Sequence, residues 1–76
     1  MIESLILVEG RNVNKETLKS IFLGNAKQLV IGTTPANDII LHVNASSSAD
    51  FGDALLEFSQ IQGVTKVLTL TLKNPH

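Results

Sequence analysis

The sequence predicts an α+β domain in the order β-α-β-β-α-β, and three observations carry that prediction. Two segments have helical apolar spacing: Leu18, Ile21 and Phe22 at i, i+3, i+4, then Phe51, Ala54, Leu55, Phe58 and Ile61 at i, i+3, i+4, i+7, i+10. Four short segments dense in branched apolar residues alternate with them, at 4–8, 27–33, 39–45 and 64–72. Between the middle two lies only the turn Thr34-Pro35-Ala36-Asn37-Asp38, so those two strands pair as an antiparallel hairpin. Right-handed crossovers then place both helices on one face of a four-stranded antiparallel sheet. This is the ferredoxin-like sandwich. Residues 1–76 form one such domain, and its halves, 4–33 and 39–72, share one plan.

Each element has a local cause. Residues 4–8, SLILV, are a short branched strand, and Gly10-Arg11-Asn12 interrupts it. Asn14 is a suitable N-cap, because its side-chain oxygen can accept an otherwise unpaired backbone N–H. Val13 before it and Leu18 at the fourth helical position have the spacing of a hydrophobic staple. The first helix is expected over 14–23, ended by Gly24 in the left-handed conformation. Strand 2 covers 27–33 and strand 3 covers 39–45. In the run Ser46-Ser47-Ser48, Ser47 stands three residues before Asp50, as in a capping box; a phosphate-binding or phosphorylated loop is the other reading of those serines. Asp50 and Asp53 suit the positive end of the second helix dipole. Gly63 closes that helix, and the Gly63-Val64 step returns the chain at once into strand 4.

Composition removes several classes of function. Net charge is −1, and no basic run supplies the electrostatic footprint of a nucleic-acid binder. RNA-recognition domains of this fold stack bases on strand aromatics, but the three Phe all fall in the helical segments and there is no Tyr or Trp. The absence of cysteine removes disulfides, thiolate metal sites and a cysteine nucleophile, and with them the Cys-x-x-Cys loop of metallochaperones of this fold. No apolar stretch approaches the length of a membrane span, and the first charged residue of MIESLILVEG is the acidic Glu3, unlike the basic start of a secretory signal. A cytoplasmic protein without cofactor or direct membrane insertion is expected.

One face of the sheet is left uncovered. The expected core side carries Leu5, Leu7, Leu29, Ile31, Ile39, Leu41, Val43, Leu68, Leu70 and Leu72. The expected open side carries Ser4, Ile6, Val8, Gln28, Val30, Gly32, Ile40, His42, Asn44, Val67, Thr69 and Thr71. A one-residue register step in strands 2 or 3 exchanges whole sets. A contiguous β-branched patch on a sheet signals contact, so Ile6, Val8, Val30, Ile40, His42, Val67 and Thr69 are the candidate interface for self-association. The loop EGRNVN is the candidate ligand site. Gly10, Arg11, Asn12 and Asn14 offer backbone N–H groups and one guanidinium to a small carboxylate. His42, the one internal histidine, has no marked nucleophile, orienting acid or metal-ligand spacing near it, so catalysis and metal binding are not expected.

The segment from Asn37 to Leu72, NDIILHVNASSSADFGDALLEFSQIQGVTKVLTLTL, resembles the second half of ACT-like domains, above all the effector domain of the leucine-responsive regulator family. Ile61, Gly63, Val64 and Thr69 match the family's return from helix 2 into strand 4. The likeness covers about half of the chain; the glycine loop of the first half is represented only by Gly10, and the helix-turn-helix of that regulator family is missing. The resemblance implies a dimer or higher oligomer with small effectors held between subunits. The expected function is a non-catalytic regulatory or assembly module that self-associates. The alternative is a peptide- or protein-binding chaperone or adaptor that uses the open face or an edge strand.

Overall fold

The computed structural model describes residues 2–73. The expected placements of the Thr71 and Leu72 side chains, and His76, lie outside the described residues. Six elements follow in the expected order: β1 Ile2–Gly10, α1 Lys15–Ser20, β2 Ala26–Thr33, β3 Ile39–Ala45, α2 Ser48–Ser59 and β4 Val64–Lys73. One sheet of order β2-β3-β1-β4, with every neighbouring pair antiparallel, and two helices make this a ferredoxin-like α+β fold.

Both helix N-termini are capped as their sequences require. Asn14 Oδ1 accepts from Glu16 N at 2.9 Å, and Ser47 Oγ accepts from Asp50 N at 3.1 Å. Ser47 Oγ also donates to Asp50 Oδ2 at 3.0 Å, tying the cap side chain to the first turn of α2. Ser46 Oγ and Ser46 N both donate to Asn25 O at 3.3 Å, tying the loop before α2 to the start of β2. Ser47→Ala should therefore cost about 1 kcal/mol, read as a lower urea midpoint with an unchanged slope. In the 34–38 turn it is Thr34 that supplies the acceptor, taking Ala36 N and Asp38 N at 3.2 and 3.1 Å, while Asn37 adopts a left-handed φ of 67°.

Two helix ends differ from expectation. α2 stops at Ser59, and residues 60–63 form the turn that leads into β4. α1 ends at Ser20 rather than at residue 23, because Ile21 is extended at φ −62°, ψ 137°. Gln28 on β2 makes that early stop possible. Its Nε2 donates to Ile21 O at 2.6 Å and to Leu18 O at 3.1 Å, satisfying carbonyls that another helical turn would have used. The extended chain then alternates. Ile21 is half-buried, Phe22 points outward and is 84% exposed, and Leu23 is buried. A continuous helix would have turned Phe22 inward beside Leu18.

The core lies between the helices and one face of the sheet. Its largest fully buried side chains are Phe58, Ile6, Leu18, Leu41, Val8 and Val43. The stripe of α2 behaves as its spacing requires: Ala54 and Phe58 are buried, while Phe51, Leu55 and Ile61 pack half-buried around them.

The face assignment of three strands is the reverse of that expected. β3 is as expected, with Ile39, Leu41 and Val43 inside. Register then decides the rest. Ile6 pairs with Leu41 and Val8 with Ile39, so β1 turns Ile6 and Val8 toward the helices and Leu5 and Leu7 away. Val30 pairs with Leu41 and Leu29 with His42, so β2 follows. Val67 pairs with Val8 and Leu68 with Leu7, so β4 follows too. The physical reason differs by strand: β1 is apolar on both sides, so alternation cannot choose its face, whereas in β2 and β4 the register against β3 and β1 overrides an alternation that favours the Leu-bearing side.

Candidate functional site

The uncovered face consists of Leu5 and Leu7 on β1, Leu29 and Ile31 on β2, Ile40 and His42 on β3, and Leu68 and Leu70 on β4. His42 lies at its centre, paired with Leu5 on one side and Leu29 on the other. Leu29, Ile31 and Leu70 are 65%, 55% and 47% exposed, and the remaining five residues are half-buried by their neighbours. Polar residues close the two ends. Glu3, Asn44 and Lys27 stand side by side at one end, and Glu9 and Lys66 at the other. The face thus has a mostly aliphatic centre and a polar, charged rim.

Of the seven expected interface residues, the structure keeps two on this face, Ile40 and His42. Ile6 and Val8 are 0% and 1% exposed under the helices. Val30 and Val67 pack half-buried against the same core, and Thr69, which pairs with Ile6, is on the helix side by register. The residues missed were Leu5, Leu7, Leu29, Ile31, Leu68 and Leu70. One signal could have found them: His42 and Asn44 mark the outer side of β3, and whatever pairs with them shares that side.

Both edge strands carry a bulge. The β2 ladder is interrupted between Val30 and Gly32, and the β1–β4 ladder shifts between Leu5 and Ile6 opposite the Thr69-to-Thr71 stretch. Bulges at sheet edges break the flat ladder that an added strand needs.

The geometry of the β1–α1 loop explains the abrupt Gly63-Val64 step. Arg11 N donates to Gly63 O at 2.9 Å, joining the β1–α1 loop to the α2–β4 turn. Neither Gly10 nor Gly63 can carry a side chain here. A Cβ on Gly10 would overlap Gly63 O and approach Val13 Cγ2 at 2.7 Å, and a Cβ on Gly63 would overlap Arg11 O. Gly63 also has φ +93°. Two loops distant in sequence thus press backbone on backbone. Asn12, at φ 57°, directs the chain back toward Asn14 and α1. The result is a cleft of about 500 Å³ lined by Arg11, Asn12, Asn14, Thr17, Gln62 and Gly63, with Ile61 at its apolar side. Arg11 is exposed, and among the described residues it has no carboxylate partner. Gly10 lies behind the cleft as the packing contact that holds it, not as a lining residue.

Among the described residues, no three His, Cys, Asp or Glu side chains gather in a way that could hold a metal ion. No helix among them is long and apolar enough to cross a membrane. The fold and the exposed face together define a small ferredoxin-like domain with a largely aliphatic uncovered sheet face. No protein-family model matches the chain, and no curated protein or solved structure matches it significantly.

Proposed function

We propose that the protein is a non-catalytic assembly module that dimerises through the open face of its sheet. The observation that supports this is the continuity of the aliphatic surface across all four strands, from Leu29 and Ile31 on β2 to Leu68 and Leu70 on β4. A second copy is the occupant that fits best. The face is as wide as the whole sheet, about 19 Å for four strands. Stacking an identical sheet on it forms a two-layer interior with sheets about 10 Å apart. Both partners then cover their aliphatic centres at once, with an interface approaching the roughly 800 Å² per partner of a standard complex. The edge-strand route to a peptide partner is less well supported, because both edges are bulged.

The test is solution mass by light scattering for the wild type and for Leu29→Asp combined with Ile31→Asp. Those side chains are the most exposed on the face, so their replacement leaves the monomer fold intact. The expected result is a wild type at twice the monomer mass and a folded, monomeric double variant. A wild type that stays monomeric at millimolar concentration overturns the reading.

A regulatory role rests on the cleft at Arg11, where an exposed guanidinium faces a preorganised loop. A small carboxylate bound there stabilises the native state by about 2.7 kcal/mol at a hundredfold excess over Kd. A thermal-shift screen of amino acids and dicarboxylates should therefore find a ligand that raises Tm in the wild type and not in Arg11→Ala. An equal rise in both proteins would remove the cleft from the proposal.

A further inference from the structure

The exposed large hydrophobic side chains fall into two groups. Leu29, Ile31 and Leu70 belong to the open sheet face, but Phe22 and Leu56, at 84% and 59% exposure, lie on the helical layer. They share a groove of about 370 Å³ with Leu23, Asp53, Glu57 and Gln60. That volume is at the small end of the roughly 300–1,000 Å³ range of binding clefts. Along α2 the wall residues are Asp53, Leu56, Glu57 and Gln60, at i, i+3, i+4 and i+7, so the groove follows one stripe of the helix. Phe22 reaches it because α1 ends early.

The charge of this surface is one-sided. α2 holds Asp50, Asp53 and Glu57 and no Lys, Arg or His. Among the described residues, neither Asp53 nor Glu57 has a cation within ion-pair distance. The one ion pair of the helical layer, Lys19 to Glu16 at 3.5 Å, is internal to α1. An apolar floor with two unpaired carboxylates along its wall selects its occupant by charge. A second copy in a two-fold contact would set the acidic stripe against itself, which like-charge repulsion disfavours. An anionic lipid surface and a nucleic acid are repelled for the same reason.

We infer that the Phe22–Leu56 groove is a docking site for a cationic amphipathic helix of another protein. One apolar side chain of that helix enters between Phe22 and Leu56, and its Lys or Arg residues face Asp53 and Glu57. Lying along α2, the partner becomes a third helix of the layer, packed about 8–10 Å from its neighbour. The site is on the opposite side of the molecule from the open sheet face and does not depend on dimerisation there. In a face-to-face dimer it is present twice, one copy on each outer surface.

The experiment uses two labelled synthetic peptides of about 15 residues, long enough to form a helix. They share the same Leu and Phe positions and carry either Lys/Arg or Glu on the polar face. Fluorescence anisotropy against the full chain should show binding of the cationic peptide only, weakening as salt rises. Phe22→Ser should reduce that affinity about tenfold or more, as loss of an aromatic anchor does. Asp53→Asn with Glu57→Gln should weaken binding and flatten its salt dependence. All three side chains are exposed, so unchanged thermal melts are expected for both variants. Amide shift changes on peptide addition should map to residues 22–24 and 53–60. Equal binding of the two peptides, equal affinity of Phe22→Ser and wild type, shifts centred elsewhere, or no binding by either peptide overturns the proposal.

Discussion

Ile6→Asp is expected to unfold the protein, while Leu7→Asp, one residue along, leaves it folded. The two side chains differ in no property that local sequence displays. Ile6 is fully buried between the helices and the sheet and pairs across the ladders with Leu41 and Thr69. An aspartate there loses the burial of a large aliphatic side chain, about 2–5 kcal/mol. It also places a carboxyl group where no donor waits, at about 2–7 kcal/mol more. A domain of this size is stable by about 4–11 kcal/mol, so a combined cost of about 4–12 kcal/mol is as large as the whole stability. Leu7 points to the open face, where an aspartate meets solvent in the monomer and costs about 1 kcal/mol in strand preference. Circular dichroism and urea titration separate the cases. If both variants unfold, or both fold, the face assignment of β1 is wrong. For the proposed dimer the pattern extends further, since Leu7→Asp is expected to fold but not to self-associate.

The second large effect is at the paired glycines. Gly63→Ala meets two obstacles together: a left-handed φ of +93°, costing about 1–2 kcal/mol for any L side chain, and the Arg11 carbonyl where the methyl group would sit. Gly10→Ala keeps an ordinary strand φ but drives its methyl group into Gly63 O and Val13. Overpacking of this kind costs about 1–3 kcal/mol where the structure can shift. Here the obstacle is backbone, so each substitution should cost about 3 kcal/mol, lowering Tm by roughly 12–24 °C at the 4–8 °C per kcal/mol usual for small domains. The double variant should cost less than the sum, because both methyl groups break one contact. Differential scanning calorimetry of the three proteins measures that coupling; strict additivity would mean that the two loops do not press on one another. Gly24→Ala is the control. It sits at φ +68° with open space around it, so it carries the backbone term alone.

Several features were legible from residue type and spacing. The order of elements, the Asn14 and Ser47 caps, the inward stripe of α2 and the punctuation at Gly63 all depend on neighbours within a few residues. The Arg11 loop could be singled out as a candidate as well, since Gly10, Arg11, Asn12 and Asn14 fall within five residues. Its partner loop was not. Gly63 faces Gly10 only after β1 and β4 have paired, and the cleft between them has no trace in either segment alone.

The face of the sheet shows the same division. In β3, His42 and Asn44 interrupt the apolar side of the strand, and one sequence chose one orientation. In β1, SLILV offers Leu5 and Leu7 on one side and Ile6 and Val8 on the other, and both are apolar enough to be a core. Only the register of β1 against β3 distinguishes them. Helix 1 failed in a related way. Leu18, Ile21 and Phe22 satisfy helical spacing, but the donor that lets the chain leave the helix is Gln28, on the next strand.

What the sequence by itself determined is therefore the set of elements, their order and their caps, because hydrogen bonding and apolar period act over one or two turns of chain. What only the tertiary structure decided is which side of each two-sided strand is covered, where α1 stops, and that Phe22 stands outside rather than in the core. Those outcomes depend on pairings between segments ten to sixty residues apart, and a strand with two apolar faces is free to present either one until its neighbour is in place.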